Sequence, residues 1–290
     1  MNDGNGKREF AFRIVNVFAE ERLAGNPLAV FENARGLSDE EMQALALQFN
    51  LSETTFILPS EIADARVRIF TPTFEMPFAG HPTLGSAHVV RALAGAGDAL
   101  ALEMLAGTIP VIAHGNVWTL EAKPPATREV GASREELAAM LGLAIPDLGA
   151  TPLWVDTGSE QLVIPLASAD AVRRSSPDAA LVARIGSVRR DDGATRAMAY
   201  VWAEEAPGSI VARFFFPKHG AIVEDPGTGS ACANLGGWLV ATGAALPQQW
   251  SVSQGEAVGR RCKLELGVDA GGRIFVSGRV IELGRGTIRL

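Results

Sequence analysis

Residues that hold metals or form disulfides are scarce in this sequence. It has two cysteines, Cys232 and Cys262, and four histidines, His81, His88, His114 and His219, without paired ligand spacing. Disulfide frameworks need more cysteines, and structural zinc sites need clustered ligands. We therefore expect no metal, no disulfide and a reducing cytoplasmic location.

Concentrated positive charge is also missing. The 26 Lys and Arg are outnumbered by 33 Asp and Glu, which gives a net charge of −7, and no run of like charges occurs. A nucleic-acid or acidic-lipid partner is therefore not expected. A glycine-rich phosphate loop is absent too, so nucleotide cofactors lack support and we predict a cofactor-free protein. The uncharged stretch 226–249 is interrupted by glycine and proline, which favours a buried helix over a membrane span.

The sequence contains an internal repeat. Arg68–Pro72 resembles Arg213–Pro217 at an offset of 145 residues, and Pro82–Ala87 resembles Pro226–Ala231 at 144. Two weaker matches occur in the same order, Gly25–Val30 with Gly158–Val163, and Ala106 and Gly107 with Gln254 and Gly255. The period is far longer than the roughly 20 to 50 residues of solenoid repeats, so we expect two similar domains, 1–124 and 125–290, separated by the proline-rich stretch 123–127.

Local signals predict both strands and helices. Ser38 with Glu41 and Ser133 with Glu136 have capping-box spacing, which predicts helices that begin there. Two further helices are predicted to begin inside the repeated motif, at about Thr83 and Thr228. Small residues in their first turns would let strands approach closely, which suits the centre of a curled sheet. Their free N–H groups would favour a carboxylate.

Glu53, at a junction between a predicted helix and a strand, is a candidate acid/base group. Its neighbours in Ser52–Phe56 include hydroxyls, and partial burial would raise the pKa of such a carboxyl toward the range that proton transfer needs. The alternative is a solvated loop glutamate, which composition alone favours.

His81 is a second candidate, because it precedes the first small-residue helix and could serve as a hydrogen-bond donor or proton relay. A turn or capping histidine is the alternative. Glu75 in the same loop is a weaker candidate that could simply orient the loop.

Asp225 lies in the most informative polar segment, Val223–Ala231. A turn or N-cap aspartate would explain it. The repeat, as aligned above, places it opposite His81, and two symmetric loops that face one cleft could form a two-base site. Both interpretations stay open from the residues alone.

Taken together, six motifs resemble the PhzF-like family of phenazine-biosynthesis proteins, which has the diaminopimelate-epimerase fold. The motifs are G-N-P-L-A-V (Gly25–Val30), S-E-T-T-F (Ser52–Phe56), R-I-F-T-P (Arg68–Pro72), G-H-P-T-L-G (Gly80–Gly85), E-D-P-G-T-G-S-A (Glu224–Ala231) and Q-G-x-x-V-G-R (Gln254–Arg260). The resemblance covers the chain from about Phe12 onward.

The resemblance implies an α+β fold of two pseudo-symmetric domains, each a curled, mostly antiparallel, barrel-like sheet around a central helix. The last strand, about 278–290, sometimes returns to the first domain in this fold. The resemblance also implies a homodimer with the site in a central cleft. By this likeness Glu53 shuttles a proton on a small carboxylic acid without a cofactor, His81 and Asp225 act as relay groups, and Gly80, Thr228, Gly229 and Ser230 bind the carboxylate.

Three functions remain open at this point. The first is a cofactor-independent isomerase that moves a proton between carbons of a small carboxylate. The second is a non-catalytic protein that binds a small anion. The third is an amino-acid epimerase or racemase, but related epimerases use two cysteines at the helix starts, where this chain has Gly80-His81 and Asp225-Pro226.

Overall fold

The computed structural model describes residues 8–189, 193 and 195–290. These residues form two compact units. The first contains the chain up to Leu120 together with Gly278–Leu290, and the second contains Glu121–Ser277. Each unit is a mixed sheet curled around one central helix, which confirms the fold class predicted from the sequence.

The elements are numbered in chain order. The first part of the chain forms β1 Glu9–Val17, β2 Asn26–Phe31, α1 Asp39–Phe49, β3 Glu53–Leu58, β4 Ala65–Phe70, β5 Glu75–Met76, α2 Gly80–Ala94, β6 Ala99–Met104, β7 Gly107–His114 and β8 Val117–Glu121. The middle forms β9 Ala126–Glu129, α3 Arg134–Leu141, a 3₁₀ turn Ile145–Asp147, β10 Leu153–Asp156, β11 Glu160–Pro165, α4 Ala169–Arg174, α5 Ala179–Ile185, β12 Ser187–Arg189 and β13 Thr195–Ala197. The remainder forms β14 Ala199–Ala206, β15 Ser209–Lys218, β16 Ala221–Asp225, α6 Gly229–Ala241, β17 Gln248–Gln254, β18 Cys262–Val268 and β19 Ile274–Arg289.

The sheet of the first unit closes on itself with eight strands. Antiparallel pairs β1/β2, β3/β4, β6/β7 and β7/β8 alternate with parallel pairs β2/β3 and β4/β6. The part of β19 from Gly278 onward pairs with β1, and the N–H of Val280 donates to the carbonyl of Asn116 beside β8 at 2.9 Å. Helix α2 lies inside the ring and contacts β1, β2, β3, β4 and β6.

The second unit repeats this pairing order strand by strand. Antiparallel pairs β10/β11, β14/β15, β17/β18 and β18/β19 alternate with parallel pairs β11/β14 and β15/β17, and β9 lies beside β10. The N–H of Ala122, ahead of β9, donates to the carbonyl of Ile274 at 2.8 Å. Helix α6 contacts β9, β10, β11 and β18. The predicted duplication therefore describes the architecture of both units.

The register of the predicted repeat is wrong in its second match. The equivalent ion pairs Arg68–Glu75 and Arg213–Glu224, each 2.7 Å, fix the alignment of the strands before the central helices. The number of residues from Glu75 to Gly80, the first residue of α2, equals the number from Glu224 to Gly229, the first residue of α6. Pro226 thus corresponds to Pro77 and not to Pro82, and the predicted helix start at Thr83 is three residues late.

The same register corrects the predicted opposition of Asp225 and His81. Asp225 ends β16 and corresponds to Met76, which ends β5. His81 corresponds to Ser230, because each is the second residue of its helix. The sequence favours the wrong alignment because Pro82–Ala87 and Pro226–Ala231 share more identical residues than the truly equivalent segments do.

Small residues on the central helices allow the strands to approach. A Cβ atom at Gly85 would lie 2.6 Å from Leu28 Cδ2 on β2, and one at Gly236 would lie 2.7 Å from Ile274 Cγ2 on β19. Helix α6 is almost entirely buried, as predicted for the uncharged stretch 226–249. Within the described part of the chain, no helix is long and apolar enough to cross a membrane.

The remaining helices cover the outer faces of the sheets. Helix α1 packs onto a cluster that includes Phe10, Phe31, Phe56 and Phe70, and the rings of Phe31 and Phe56 stack at 4.8 Å. The second unit has its own cluster beneath α3, α4 and α5. Both predicted capping boxes are present, at the N-termini of α1 and α3. Apolar burial on the outer face thus stabilises each sheet independently of its central helix.

Gly25, immediately before β2, should tolerate no side chain. Its φ of +80° is left-handed, and a Cβ atom there would lie 2.6 Å from both the carbonyl oxygen of Val17 and Cβ of Ala19. We expect Gly25→Ala to lower the free energy of unfolding by about 2–5 kcal/mol, because overpacking adds to left-handed strain. Gly36→Ala is the matched control, since Gly36 has φ +88° and nothing within 4 Å of its Cβ position. Its cost should be only about 1–2 kcal/mol in a urea titration, and equal losses in the two variants would contradict the packing argument.

Candidate active site

Glu53 and His81 form the polar centre of the first unit. Glu53 is the first residue of β3, and His81 lies in the first turn of α2. Glu53 Oε2 lies 3.3 Å from His81 Nε2, and their side chains are only 14% and 6% exposed. The structure therefore brings these two predicted residues together and gives the glutamate a largely buried position, not that of a solvated loop.

A hydroxyl contact fixes the spacing between the strand and the helix that carry this pair. Ser86 Oγ on α2 donates to Thr55 Oγ1 on β3 at 2.9 Å, and both residues are buried. Ser86 is little more than one helical turn beyond His81, and Thr55 is two residues beyond Glu53. The contact thus resists sliding of the histidine relative to the glutamate.

His81 is held as a neutral imidazole. Burial lowers the pKa of His81 to about 3. Asn26 Nδ2, on β2, lies 3.4 Å from His81 Nδ1, and an amide nitrogen can only donate. With the Asn26 amide in this orientation, Nδ1 is the acceptor and Nε2, which lies 3.3 Å from Glu53 Oε2, carries the proton. A neutral imidazole places no positive charge beside the carboxylate.

Asp225, in the second unit, belongs to a compact turn that closes onto α6. Thr228 Oγ1 donates to Asp225 Oδ2 in a short contact. Gln254 Nε2 donates to the Asp225 carbonyl at 2.9 Å and to Thr228 Oγ1 at 3.1 Å, while Gln254 Oε1 accepts from the Thr228 N–H at 3.3 Å. Gln254 is 2% exposed, so one buried amide fixes both ends of this turn.

Ser230 lies in the first turn of α6 and contacts a second buried amide. Gln161 Nε2 on β11 donates to Ser230 Oγ at 2.9 Å. The other end of the Gln161 amide accepts from Asn234 Nδ2 at 2.8 Å. The serine hydroxyl is therefore part of a hydrogen-bond network in the second unit.

Both central helices begin without a side-chain cap among the described residues. The N-cap positions are Ala79 for α2 and Thr228 for α6, and neither side chain accepts a hydrogen bond from its helix. First-turn N–H groups and the positive end of the helix dipole favour an anion such as a carboxylate. Gly80 and Gly229, the first residues of the two helices, are the predicted carboxylate-binding glycines.

The two thiols occupy apolar surroundings. Cys232 lies inside α6 and Cys262 on β18, and burial raises the pKa of both. They stay protonated at neutral pH and are poor proton acceptors. Glu75, the weaker candidate, pairs with Arg68 and so orients the strand ends before α2.

Several polar residues of this arrangement were not assigned roles from the sequence. Asn26 and Gln254 stand in motifs that suggested the family, but nothing in those motifs indicates which side chain each amide holds. Gln161 and Asn234 could not be found, because each acts on a residue about 70 positions away in the chain.

The sequence matches a family model described as phenazine biosynthesis-like protein over residues 15–283. An uncharacterised isomerase of Pasteurella multocida is 39% identical over 282 residues, covering 96% of this chain and 94% of the relative. The trans-2,3-dihydro-3-hydroxyanthranilate isomerase of Pseudomonas aeruginosa is 37% identical over 262 residues and 87% of each chain. The family resemblance drawn from the motifs is confirmed.

Solved structures agree with the fold. A PhzF-family protein of Bacillus anthracis superposes with a TM-score of 0.83 at 24% identity, covering 97% of this chain and 99% of that one. A hydroxyproline epimerase of Agrobacterium vitis superposes with a TM-score of 0.67 at 13% identity, covering 98% and 93%. On the match along nearly its whole length and on its curated relatives, the chain belongs to the phenazine biosynthesis-like protein family and is an enzyme of the isomerase class.

Proposed function

We propose that this enzyme moves a proton between two carbon atoms of a small unsaturated carboxylic acid, without a cofactor and with Glu53 as the single acid/base group. The observation that carries the proposal is the contact between buried Glu53 and neutral His81, held by Asn26. The name of the Pseudomonas aeruginosa relative supports a dihydro-hydroxyanthranilate-like substrate.

Glu53 does the proton chemistry in this proposal. One carboxylate oxygen, Oε2, faces His81, and the other takes a proton from one carbon and returns it to another. The electron pair of the broken C–H bond shifts through the adjacent double bond, so the isomer forms with no change in oxidation state. General acid/base catalysis of this kind contributes about 10² to 10⁴ in rate.

The residues of the second unit hold the substrate in this proposal. Ser230 Oγ and the first-turn N–H groups of α6 would bind the carboxylate. Asp225, fixed by Thr228 and Gln254, would serve as a hydrogen-bonding and relay group. Substrate orientation then supplies the part of the rate that one glutamate cannot.

Single-base transfer is favoured over two-base epimerisation by the corrected register. A two-base site built on the repeat would need acid/base side chains at equivalent positions. Thr54 pairs with Phe70, and Ala199 pairs with Phe215, the equivalent of Phe70. Ala199 is therefore the equivalent of Thr54, and the residue equivalent to Glu53 is Met198. Asp225 likewise corresponds to Met76. Each candidate base is thus present in one copy of the repeat.

Glu53→Gln should abolish catalysis but leave binding. We expect kcat for 2,3-dihydro-3-hydroxyanthranilate to fall by about 10²- to 10⁴-fold, because the amide keeps the shape and cannot accept the proton. Deuterium uptake from D₂O, followed by mass spectrometry, measures the loss, and ligand-induced thermal stabilisation measures binding.

Glu103→Gln is the matched control, because Glu103 is a half-buried carboxylate of the same unit that accepts from Ser60 Oγ. It should keep wild-type kcat. Normal deuterium uptake in Glu53→Gln would refute the single-base mechanism. A wild-type protein that is stabilised by carboxylates yet exchanges no proton would support the binding-protein alternative.

His81 should stay neutral across the physiological range. With ¹⁵N-labelled histidine, we expect an NMR titration of His81 to show the Nε2–H tautomer and no change from pH 8 to pH 5. Its folded pKa of about 3 lies below the ordinary 6.5, so it contributes stability above pH 6.5 that is lost as the pH falls toward 3.

His81→Gln should therefore flatten the acid side of the stability curve. His88 is the comparison residue for the NMR titration, because it lies in the same unit and its pKa is also lowered by burial. A His81 resonance that titrates near pH 6.5 would contradict the neutral state of this imidazole.

A further inference from the structure

A directed chain of hydrogen bonds in the second unit ends at the Ser230 hydroxyl. The backbone N–H of Thr157 donates to Asn234 Oδ1 at 2.9 Å, Asn234 Nδ2 donates to Gln161 Oε1 at 2.8 Å, and Gln161 Nε2 donates to Ser230 Oγ at 2.9 Å. Asn234 is fully buried and Gln161 is 3% exposed, so water does not compete for these groups. All residues of this hydrogen-bond chain lie within the second unit, Glu121–Ser277.

The backbone sets the direction of every bond in this chain. A peptide N–H can only donate and a peptide carbonyl can only accept. Asn234 Oδ1 must therefore face the Thr157 N–H, and Asn234 Nδ2 must face the carbonyl of Ser159, which accepts from it at 2.8 Å. Thr157 Oγ1 adds a third contact to Asn234 Oδ1 at 2.7 Å. Two backbone groups thus fix the asparagine amide in one orientation.

The fixed asparagine in turn fixes Gln161. Asn234 presents a donor, so Gln161 must offer its oxygen to Asn234 and its nitrogen to Ser230. Flipping the Gln161 amide would place its nitrogen against Asn234 Nδ2, so that two donors face each other. A buried donor left without an acceptor is unfavourable, so the observed orientation is preferred.

Ser230 therefore accepts from Gln161 and keeps its own proton for another partner. A serine hydroxyl has one O–H donor and two lone pairs. Among the residues that the structure describes, the contact with Gln161 is the hydrogen bond that this hydroxyl makes.

We propose that Gln161 is a positioning residue that, through Asn234, commits the Ser230 hydroxyl to donate a hydrogen bond to the substrate carboxylate. The inference rests on the proposed function, in which Ser230 binds that carboxylate. A committed donor needs no reorientation when the anion arrives, and it favours an anionic acceptor over a neutral one.

Gln161→Glu tests the direction of the chain, because an ionised carboxylate would accept from Ser230 and withdraw its proton. We expect KM and the Kd of anthranilate, a stable carboxylate probe, to rise about 10- to 100-fold at pH 8 with kcat within threefold. A protonated glutamate restores a donor toward Ser230, so the loss should shrink as the pH falls. Gln161→Met removes the amide without introducing an acceptor, so its loss of anthranilate affinity should be smaller than that of Gln161→Glu.

The double variant Gln161→Glu with Ser230→Ala separates an effect that acts through the Ser230 hydroxyl from direct repulsion between the new carboxylate and the ligand. If Gln161 acts through Ser230, Gln161→Glu should add little to the loss already caused by Ser230→Ala. Gln249→Glu, an exposed substitution on β17, controls for the added charge and should keep KM within twofold. Asn234→Asp provides a second test if the Gln161→Glu protein does not fold. Its carboxylate would accept from Gln161, so the Gln161 amide should flip and anthranilate affinity should fall in the same way.

The outcomes separate this inference from the proposed function. If wild-type protein turns over no carboxylate but anthranilate affinity falls in the predicted pattern, the proposed reaction is refuted while the positioning role stands. If turnover is present but Gln161→Glu and Asn234→Asp bind anthranilate as the wild type does, the positioning role is refuted. Equal losses in Gln161→Met and Gln161→Glu, or full additivity with Ser230→Ala, would also overturn it.

Discussion

Close approach between a buried helix and the strands that surround it is the constraint on which each unit depends. An eight-stranded ring encloses little more than one helix, so the helix positions that lie closest to a strand must lack a side chain. Gly85 and Gly236 meet this requirement against β2 and β19. The two helices also begin alike, because Gly80 and Gly229 are their first residues and neither helix start has a side-chain cap.

The two copies of the fold have diverged at the positions where chemistry is expected. The first copy carries Glu53 and His81, whereas Met198 and Ser230 stand at the equivalent positions of the second. The second copy carries Asp225 where the first has Met76. The strand pairs, the arginine–glutamate pair before each helix and the helix start are retained in both. Duplication has therefore preserved the scaffold, while acid/base and binding groups have been distributed unequally.

Much of this organisation could be predicted from the sequence, because it depends on local chemistry. The capping boxes at Ser38 and Ser133 and the small-residue helices each depend on residues that lie close together in the sequence. The register of the repeat was mispredicted at the central helices, since Pro82–Ala87 resembles the wrong segment. The ion pairs of Arg68 and Arg213 and the strand registers around them reveal the true equivalence, and neither is visible in a sequence.

Buried amides explain why the remaining part of the site escaped prediction. Asn26, Gln161, Asn234 and Gln254 carry no charge, and the sequence does not indicate which group each amide contacts, yet each amide orients a neighbouring group. A buried amide pays a desolvation cost unless both of its ends are satisfied, so it transmits the fixed direction of a backbone N–H to a side chain several ångströms away. Orientation of this kind is a property of a closed hydrogen-bond chain. It arises only when residues far apart in sequence are packed together, and it allows uncharged side chains to polarise a site.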